Sequence, residues 1–345
     1  MSNTVKVSVI TPVYNVASYL ERYFDSVMNQ TLKEIEIICI NDASTDHSLE
    51  ILREYESREP RMKVINFTDN KNAANALNAG LEVATGEYLG FVDPDDCIDL
   101  NFYEKLYNAS QSENADIVKG QLKKITLDGK VFLSSSNKII KENNTMAFCN
   151  EWTTAIYKHS LVVGNHIKFP AECPTAWDIV FLTRCVIKAK KLVFVDDIYY
   201  HYYRREGSLD SRKMNLRSIE SSLYARKLIF DELSLASAEE VDEEGYLYAC
   251  FHHLIEIITH VSFKNDSLEC RQMCAQSLVE NYHRCKNKTA IDKKMFVSAY
   301  DHILHHIKNS NVEEIADELY KISSIPNYVA LKKLRVNIKR DLKRE

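Results

Sequence analysis

An α/β fold with a mostly parallel central sheet, followed by a mainly α-helical domain, is predicted by three features of the sequence. Strand-like and helix-like segments alternate up to about Asp116, hairpin and single-strand signals follow, and from about Ser218 the pattern is helical, with Gly245 and Pro326 its only glycine and proline. Strands separated by helices of about 10–15 residues form βαβ units, which imply a parallel sheet with right-handed crossovers.

Each element has its own signal. Val5–Ile10 is a short apolar run of the kind buried in a sheet. Ser18-Tyr-Leu-Glu21 has the form of a capping box opening a helix to about Asn29. Ile35–Asn41 is the second strand, and Ser44–Ser48 leads into a polar helix ending near Glu59. Met62–Phe67 is the third strand, Ala73–Ala84 the third helix and Tyr88–Asp93 the fourth strand. Phe102–Asn114 is helical, with Asp96 or Asp99 as a candidate cap. Further on, Ile117–Ile125 and Lys130–Leu133 flank Leu127-Asp-Gly129, a hairpin signal, and Leu192–Val195 reads as another strand. These segments divide the chain into domains 1–215 and 216–345.

Composition narrows the function. Among 345 residues, 44 Lys+Arg face 49 Asp+Glu, a net charge of −5 that argues against binding nucleic acid through bulk positive charge. No apolar run approaches the roughly 18 residues of a membrane span, and Met1–Asn15 lacks the form of a signal peptide. The nine cysteines are scattered without zinc-site spacing, which favours reduced, buried thiols and a cytoplasmic setting. Leu331–Glu345 carries +5, leaving −10 for the other 330 residues, and Leu331, Leu334, Ile338 and Leu342 share one helical face. Such a basic amphipathic helix suits an anionic membrane surface, or packs on its own domain with solvated charges. The helical part is a candidate for acceptor binding, membrane docking or self-association as a homo-oligomer. Its His252-His253 and His305-His306 pairs lack accompanying carboxylates, so solvated or capping roles are expected over metal binding.

In an open α/β sheet, ligands bind beyond the carboxyl ends of the strands. Those ends read Thr11-Pro-Val-Tyr-Asn15, Asn41-Asp-Ala-Ser-Thr-Asp46, Thr68-Asp-Asn-Lys71 and Asp93-Pro-Asp-Asp96. Three carboxylates within four residues repel one another unless a cation intervenes, and a hard divalent ion shared with phosphate oxygens suits them. Solvated turns and helix caps use the same residues. No glycine-rich phosphate loop is present, which points away from dehydrogenases and P-loop enzymes.

The blocks Val7–Asn15, Asn41–Asp46, Asn78-Ala-Gly80 and Gly86–Asp96, in this order and spacing, resemble a family 2 glycosyltransferase of the GT-A fold over roughly residues 5–110. The resemblance implies inverting transfer of a sugar from a nucleotide donor, usually a UDP-sugar, with Mn²⁺ or Mg²⁺, to a glycan or lipid-linked acceptor. It implies that Pro12, Tyr14, Asp42 and Asn70 line the nucleotide pocket, that Asp93 meets the ribose, that Asp95 holds the metal, and that Asp96 lies close by. It also implies a general base about eighty residues further on, where Ala176-Trp-Asp-Ile-Val-Phe181 offers Asp178; the plain alternative is an Asp capping a helix over 179–189. Tyr199–Ser208 resembles the end of many such domains, so His201, Arg204 or Arg205 is a candidate cation for the diphosphate. Trp152 and Tyr157 are candidates for an acceptor platform or for the core.

Some positions depart from the family pattern. Leu77 stands where arginine is usual, Ala43 for glycine, Pro94 for serine, Cys97 for an aromatic and Trp177 for an acid. These departures motivate a second reading, a catalytically degenerate fold that binds nucleotide sugars or glycans. A nucleotidyltransferase is a third, weakened because Thr11–Asn15 is no basic glycine-rich loop.

Overall fold

The computed structural model describes residues 4–134, 151–205, 214–262, 265, 267–297 and 301–323. The chain divides into two compact units, Met1–Leu209 and Asp210–Glu345. The basic stretch 331–345 lies outside the described residues.

The first unit is built on one sheet of β1 (Val7–Val13), β2 (Ile35–Asn41), β3 (Met62–Asn66), β4 (Tyr88–Phe91), β5 (Cys97–Ile98), β6 (Ile117–Ile125), β7 (Val131–Leu133), β8 (Ala155–Lys158) and β9 (Leu192–Tyr203). Its order is β3-β2-β1-β4-β8-β6-β9-β5, with β7 paired to β6. The first four strands are parallel, β8 is antiparallel to β4 and β6, and β9 returns parallel to β6. Because β2 and β4 flank β1 on opposite sides, the connections reverse direction at β1, which opens a crevice beyond the ends of β1 and β4.

Helices α1 (Leu20–Met28), α2 (Ser48–Arg58), α3 (Ala73–Val83), α4 (Phe102–Glu113), α5 (His159–Gly164) and α6 (Trp177–Lys188) complete the unit. Val7, Val9 and Val13 of β1, Ile35, Ile37 and Cys39 of β2, and Leu20, Phe24 and Val27 of α1 share one core. Fully burying each such side chain contributes about 1.5–3 kcal/mol. On the other face α3 presses so closely on β1 that a Cβ at Gly80 would lie 2.4 Å from Ile10 Cγ2, so only glycine fits there.

Two local expectations fail. The capping box from Ser18 does not form: a 3₁₀ turn over Ala17–Tyr19 leads into α1, whose cap Tyr19 makes no side-chain hydrogen bond. Asn101, not Asp96 or Asp99, precedes α4. Both acids are drawn instead into contacts with β9.

The second unit is helical over Leu216–Leu235, Glu243–Glu256, Leu268–Arg284, Lys288–Val297, Asp301–Lys308 and Val312–Ser323. His253, expected to be solvated or a cap, is 3% exposed among Arg226, His252 and Phe230, and burial holds its imidazole well below its usual pKa.

Candidate active site

Four strand ends and one helix start meet at the crevice. At the end of β1 the Thr11 hydroxyl donates to the Val92 carbonyl (2.9 Å) and lies 2.6 Å from the Tyr23 hydroxyl, tying β1 to the exit of β4. Beyond it Tyr14 is 48% exposed, an aromatic face turned to solvent where a base can stack, with Pro12 half-buried behind it. Asn15 has φ +52°, and its side-chain oxygen accepts the Thr45 amide (2.7 Å), joining the first two loops.

Asp42 is buried at the end of β2 and accepts the Lys71 amide at 2.6 Å, while Asn70 donates to its carbonyl at 3.1 Å. Sequence reasoning thus named two residues that lie together, each fixing the β3 loop against β2. Ala43 sits at φ +56°. A left-handed conformation costs a non-glycine residue about 1–2 kcal/mol, which explains why the replacement of glycine at this position matters. Ala43→Gly is expected to stabilise the chain by about 0.5–1 kcal/mol, glycine's extra unfolded-state freedom cancelling part of the relief; urea unfolding measures it.

The acid turn follows β4. Asp96, expected beside the nucleotide or metal, is 1% exposed and fully engaged: its Oδ2 accepts the Tyr200 hydroxyl (2.9 Å) and its Oδ1 the Tyr203 amide (2.8 Å). The Tyr200 hydroxyl also accepts the Asp93 amide (3.0 Å). Asp96 is therefore the anchor that pins the turn to β9. Burial, then the charges of Asp93 and Asp95, push its carboxyl well above the usual range.

Asp95 is half-buried, and Arg205 Nε lies 2.6 Å from its Oδ2, a charge contact without an aligned hydrogen bond. Arg22 of α1 donates to the Asp95 carbonyl and stacks its guanidinium 3.6 Å above the Tyr203 ring. Arg22 carried no signal in the sequence, and the two tyrosines lie in the run Tyr199–Ser208, which gave no sign of their contacts with the acid turn. His201, expected near the diphosphate, faces the other way and meets Asp99 at 2.7 Å, because successive residues of β9 point to opposite faces and Tyr200 takes the face of Asp96. Arg204 is exposed; the cation set on the acid turn is its neighbour Arg205.

Asp178 lies in the first turn of α6, whose cap is Ala176 at φ +61°, so it is not the N-cap. Its charge acts on Asp93, which brings the two within one electrostatic site. Trp177, in place of the family's usual acid, packs edge-on against Trp152 (5.3 Å) and Phe169 (5.5 Å). Trp152 and Tyr157 are buried in this cluster with Phe91 and Phe181, so they form core, not an acceptor platform. The cluster fixes the start of α6 and hence Asp178. Leu77, on α3, is fully buried, so it offers no cation to this crevice.

Loss of water, then the negative charges of Asp95 and Asp178, push the Asp93 carboxyl up to about 7, with Arg205 pulling partly back. The folded state therefore holds a proton that the unfolded chain releases near pH 4, and stability falls as pH rises from about 4 through 7. Thermal unfolding of wild type and Asp93→Asn is expected to diverge over that range: the wild type loses stability steadily, and the variant loses less.

Among the described residues no three His, Cys, Asp or Glu side chains converge to hold a metal by themselves. Burial and the neighbouring carboxylates that raise Asp93 mark a site short of positive charge. It fits an ion held by one or two carboxylates and completed by phosphate oxygens, the arrangement hard divalent ions accept.

The family model described as Glycosyl transferase family 2 matches residues 8–165. The chain is 35% identical over 209 residues to a poly(ribitol-phosphate) beta-glucosyltransferase of Bacillus spizizenii, covering 59% of this chain and 33% of that protein. It spans only a third of that relative's length. It is 31% identical over 255 residues to a cholesterol galactosyltransferase of Borreliella burgdorferi, covering 66% of this chain and 70% of that one. In fold it is similar to S. aureus TarS 1-349 in complex with UDP-GlcNAc, with a TM-score of 0.74 and 21% identity over 93% of each chain.

Proposed function

Glycosyl transferase family 2 is the family to which this chain belongs, and from that premise we propose that it performs inverting transfer of a sugar from a UDP-sugar to a glycan or lipid-linked acceptor in surface polysaccharide synthesis. The observation that carries the reading is the acid turn Asp93–Asp96 at the end of β4, beside the crevice between β1 and β4, with Asp178 of the first turn of α6 near enough for its charge to act on Asp93.

In this reading the base stacks on Tyr14 and is fixed by the Asp42–Asn70 loop pair, and Asp93 faces the ribose. TarS has been solved with UDP-GlcNAc, which supports a uridine nucleotide here. Asp95 would hold a divalent ion, Mn²⁺ or Mg²⁺, which would supply positive charge to the departing phosphate. Arg205 moves its guanidinium from Asp95 to the same phosphates, since the incoming negative charge competes for it. Asp178 accepts the proton of the acceptor hydroxyl as that oxygen attacks the anomeric carbon from the face opposite the nucleotide. The single displacement inverts the configuration, with the base as the only protein group that gains a proton.

The degenerate-binder alternative rests on Leu77, Ala43 and Trp177. Leu77 and Trp177 are well packed, and the carboxylates remain, which favours the enzyme. A panel of nucleotide sugars tests the donor: a ligand bound only by the folded state raises the melting temperature. UDP-sugars with Mn²⁺ are expected to raise it by several degrees, and GDP- and CDP-sugars much less. No shift with any UDP-sugar overturns the donor assignment.

A further inference from the structure

The hairpin β6–β7 carries apolar side chains that the transfer reading does not use. Leu127 in its turn is 68% exposed, and Val131, Phe132 and Leu133 of β7 are 56%, 54% and 58% exposed. Among the described residues β7 pairs only with β6, through Ile125–Val131, Lys124–Phe132 and Lys123–Leu133. Consecutive residues of a strand point to opposite faces, so Val131 and Leu133 project from one face of this tip and Phe132, opposite Lys124, from the other, all exposed. A flat protein surface covers one face of a ribbon. Covering both requires a medium that surrounds the tip.

The charge around it is positive. Lys124 and Lys130 are exposed, Lys123 lies beside them over the Tyr199 ring (3.6 Å), and Asp128, paired with Lys130 at 2.6 Å, is the one acid of the hairpin. Exposed apolar side chains interspersed with lysines match the boundary between acyl chains and anionic headgroups. The hairpin also stands beside the crevice: Ile125 pairs with Tyr203 of β9, its carbonyl accepts the Arg204 amide at 2.8 Å, and the next residue is the Arg205 set on Asp95.

We propose that the β6–β7 hairpin is a membrane-docking element that inserts Leu127, Val131, Phe132 and Leu133 at an anionic lipid surface. Docking there brings the crevice next to the bilayer, within reach of an acceptor carried on lipid. The docking itself is independent of the donor assignment, since a chain that binds vesicles but transfers no sugar still obeys it.

Vesicle flotation of the full chain tests the proposal, using phosphatidylcholine alone and phosphatidylcholine mixed with phosphatidylglycerol. Wild type is expected to float with the anionic vesicles. Phe132→Asp is expected to weaken that partitioning about tenfold or more, and Lys124→Gln with Lys130→Gln to weaken it severalfold on anionic vesicles only. Phe132 is exposed, so an unchanged melting temperature is expected and separates docking from folding. As a second readout, Phe132→Trp is expected to lose tryptophan fluorescence on vesicles of brominated lipid. Failure of the wild type to float, equal flotation of Phe132→Asp, or an unquenched Phe132→Trp overturns the proposal. So does a concentration-dependent dimer that Phe132→Asp abolishes while vesicle binding is unchanged, since the tip then meets a second copy of the chain.

Discussion

Asp178→Asn is expected to lower kcat by about a hundredfold to ten-thousandfold while leaving the affinity for UDP within about twofold, because a positioned base contributes that much to proton transfer and the amide cannot accept the proton. The change keeps the size of the side chain, and the surrounding ring cluster of Trp152, Phe169 and Trp177 is untouched, so the fold should survive. It also removes one of the negative charges that raise Asp93, whose carboxyl is expected to fall only part of the way from about 7, because burial and Asp95 still hold it up. The pH dependence of stability should then flatten less than it does in Asp93→Asn. Measured together, initial rates, UDP titration and thermal melts separate a lost base from a lost fold. A variant that transfers at the wild-type rate would place the base elsewhere.

Asp95→Ala is expected to give the second large effect: transfer falls at least a thousandfold, and added Mn²⁺ no longer strengthens UDP binding. Groups that stabilise the charge developing on a leaving group contribute several kcal/mol, more than any single pocket contact. Arg205 loses its carboxylate partner in this variant and is free to meet the phosphates, so weak metal-independent binding of UDP should remain. Arg205→Gln is the complementary case, with metal dependence retained and kcat lowered about tenfold to a hundredfold. Titration calorimetry with UDP, in Mn²⁺ and in chelator, distinguishes the three proteins.

Much of the architecture was legible because it is local. Apolar runs of strand length alternate with amphipathic helices, and the polar residues that end each run fall at one edge of the sheet once the sheet is parallel. Asp42, Asn70, Tyr14 and the acid turn could be placed there from their positions after strands alone. Asn15 and Asn72 are of the residue type that tolerates positive φ, whereas Ala43 and Ala176 adopt positive φ with no such signal.

The contacts that hold the acid turn were not legible, because they join segments about seventy to a hundred and ten residues apart. Arg22 is one basic residue on a helix face, and only the folded chain sets it against the Asp95 carbonyl and the Tyr203 ring. The parity of β9 decides between Tyr200 and His201, and that parity follows from a strand running from Leu192 to Tyr203 where the sequence suggested only its first four residues. Asp96 looked like a third free carboxylate for the same reason: its two partners lie on that strand. For Trp152 and Tyr157 the sequence left acceptor platform and core both open, and the ring cluster that encloses them decides for the core.

The most direct test of the account is an anomalous difference map, collected at the manganese edge, from crystals of the full chain soaked with UDP and Mn²⁺. The account predicts a peak beside the Asp95 carboxylate bridging to the diphosphate, with the uracil against Tyr14 and Asp42. A nucleotide bound elsewhere, or one bound in the crevice with no ion at Asp95, would contradict it.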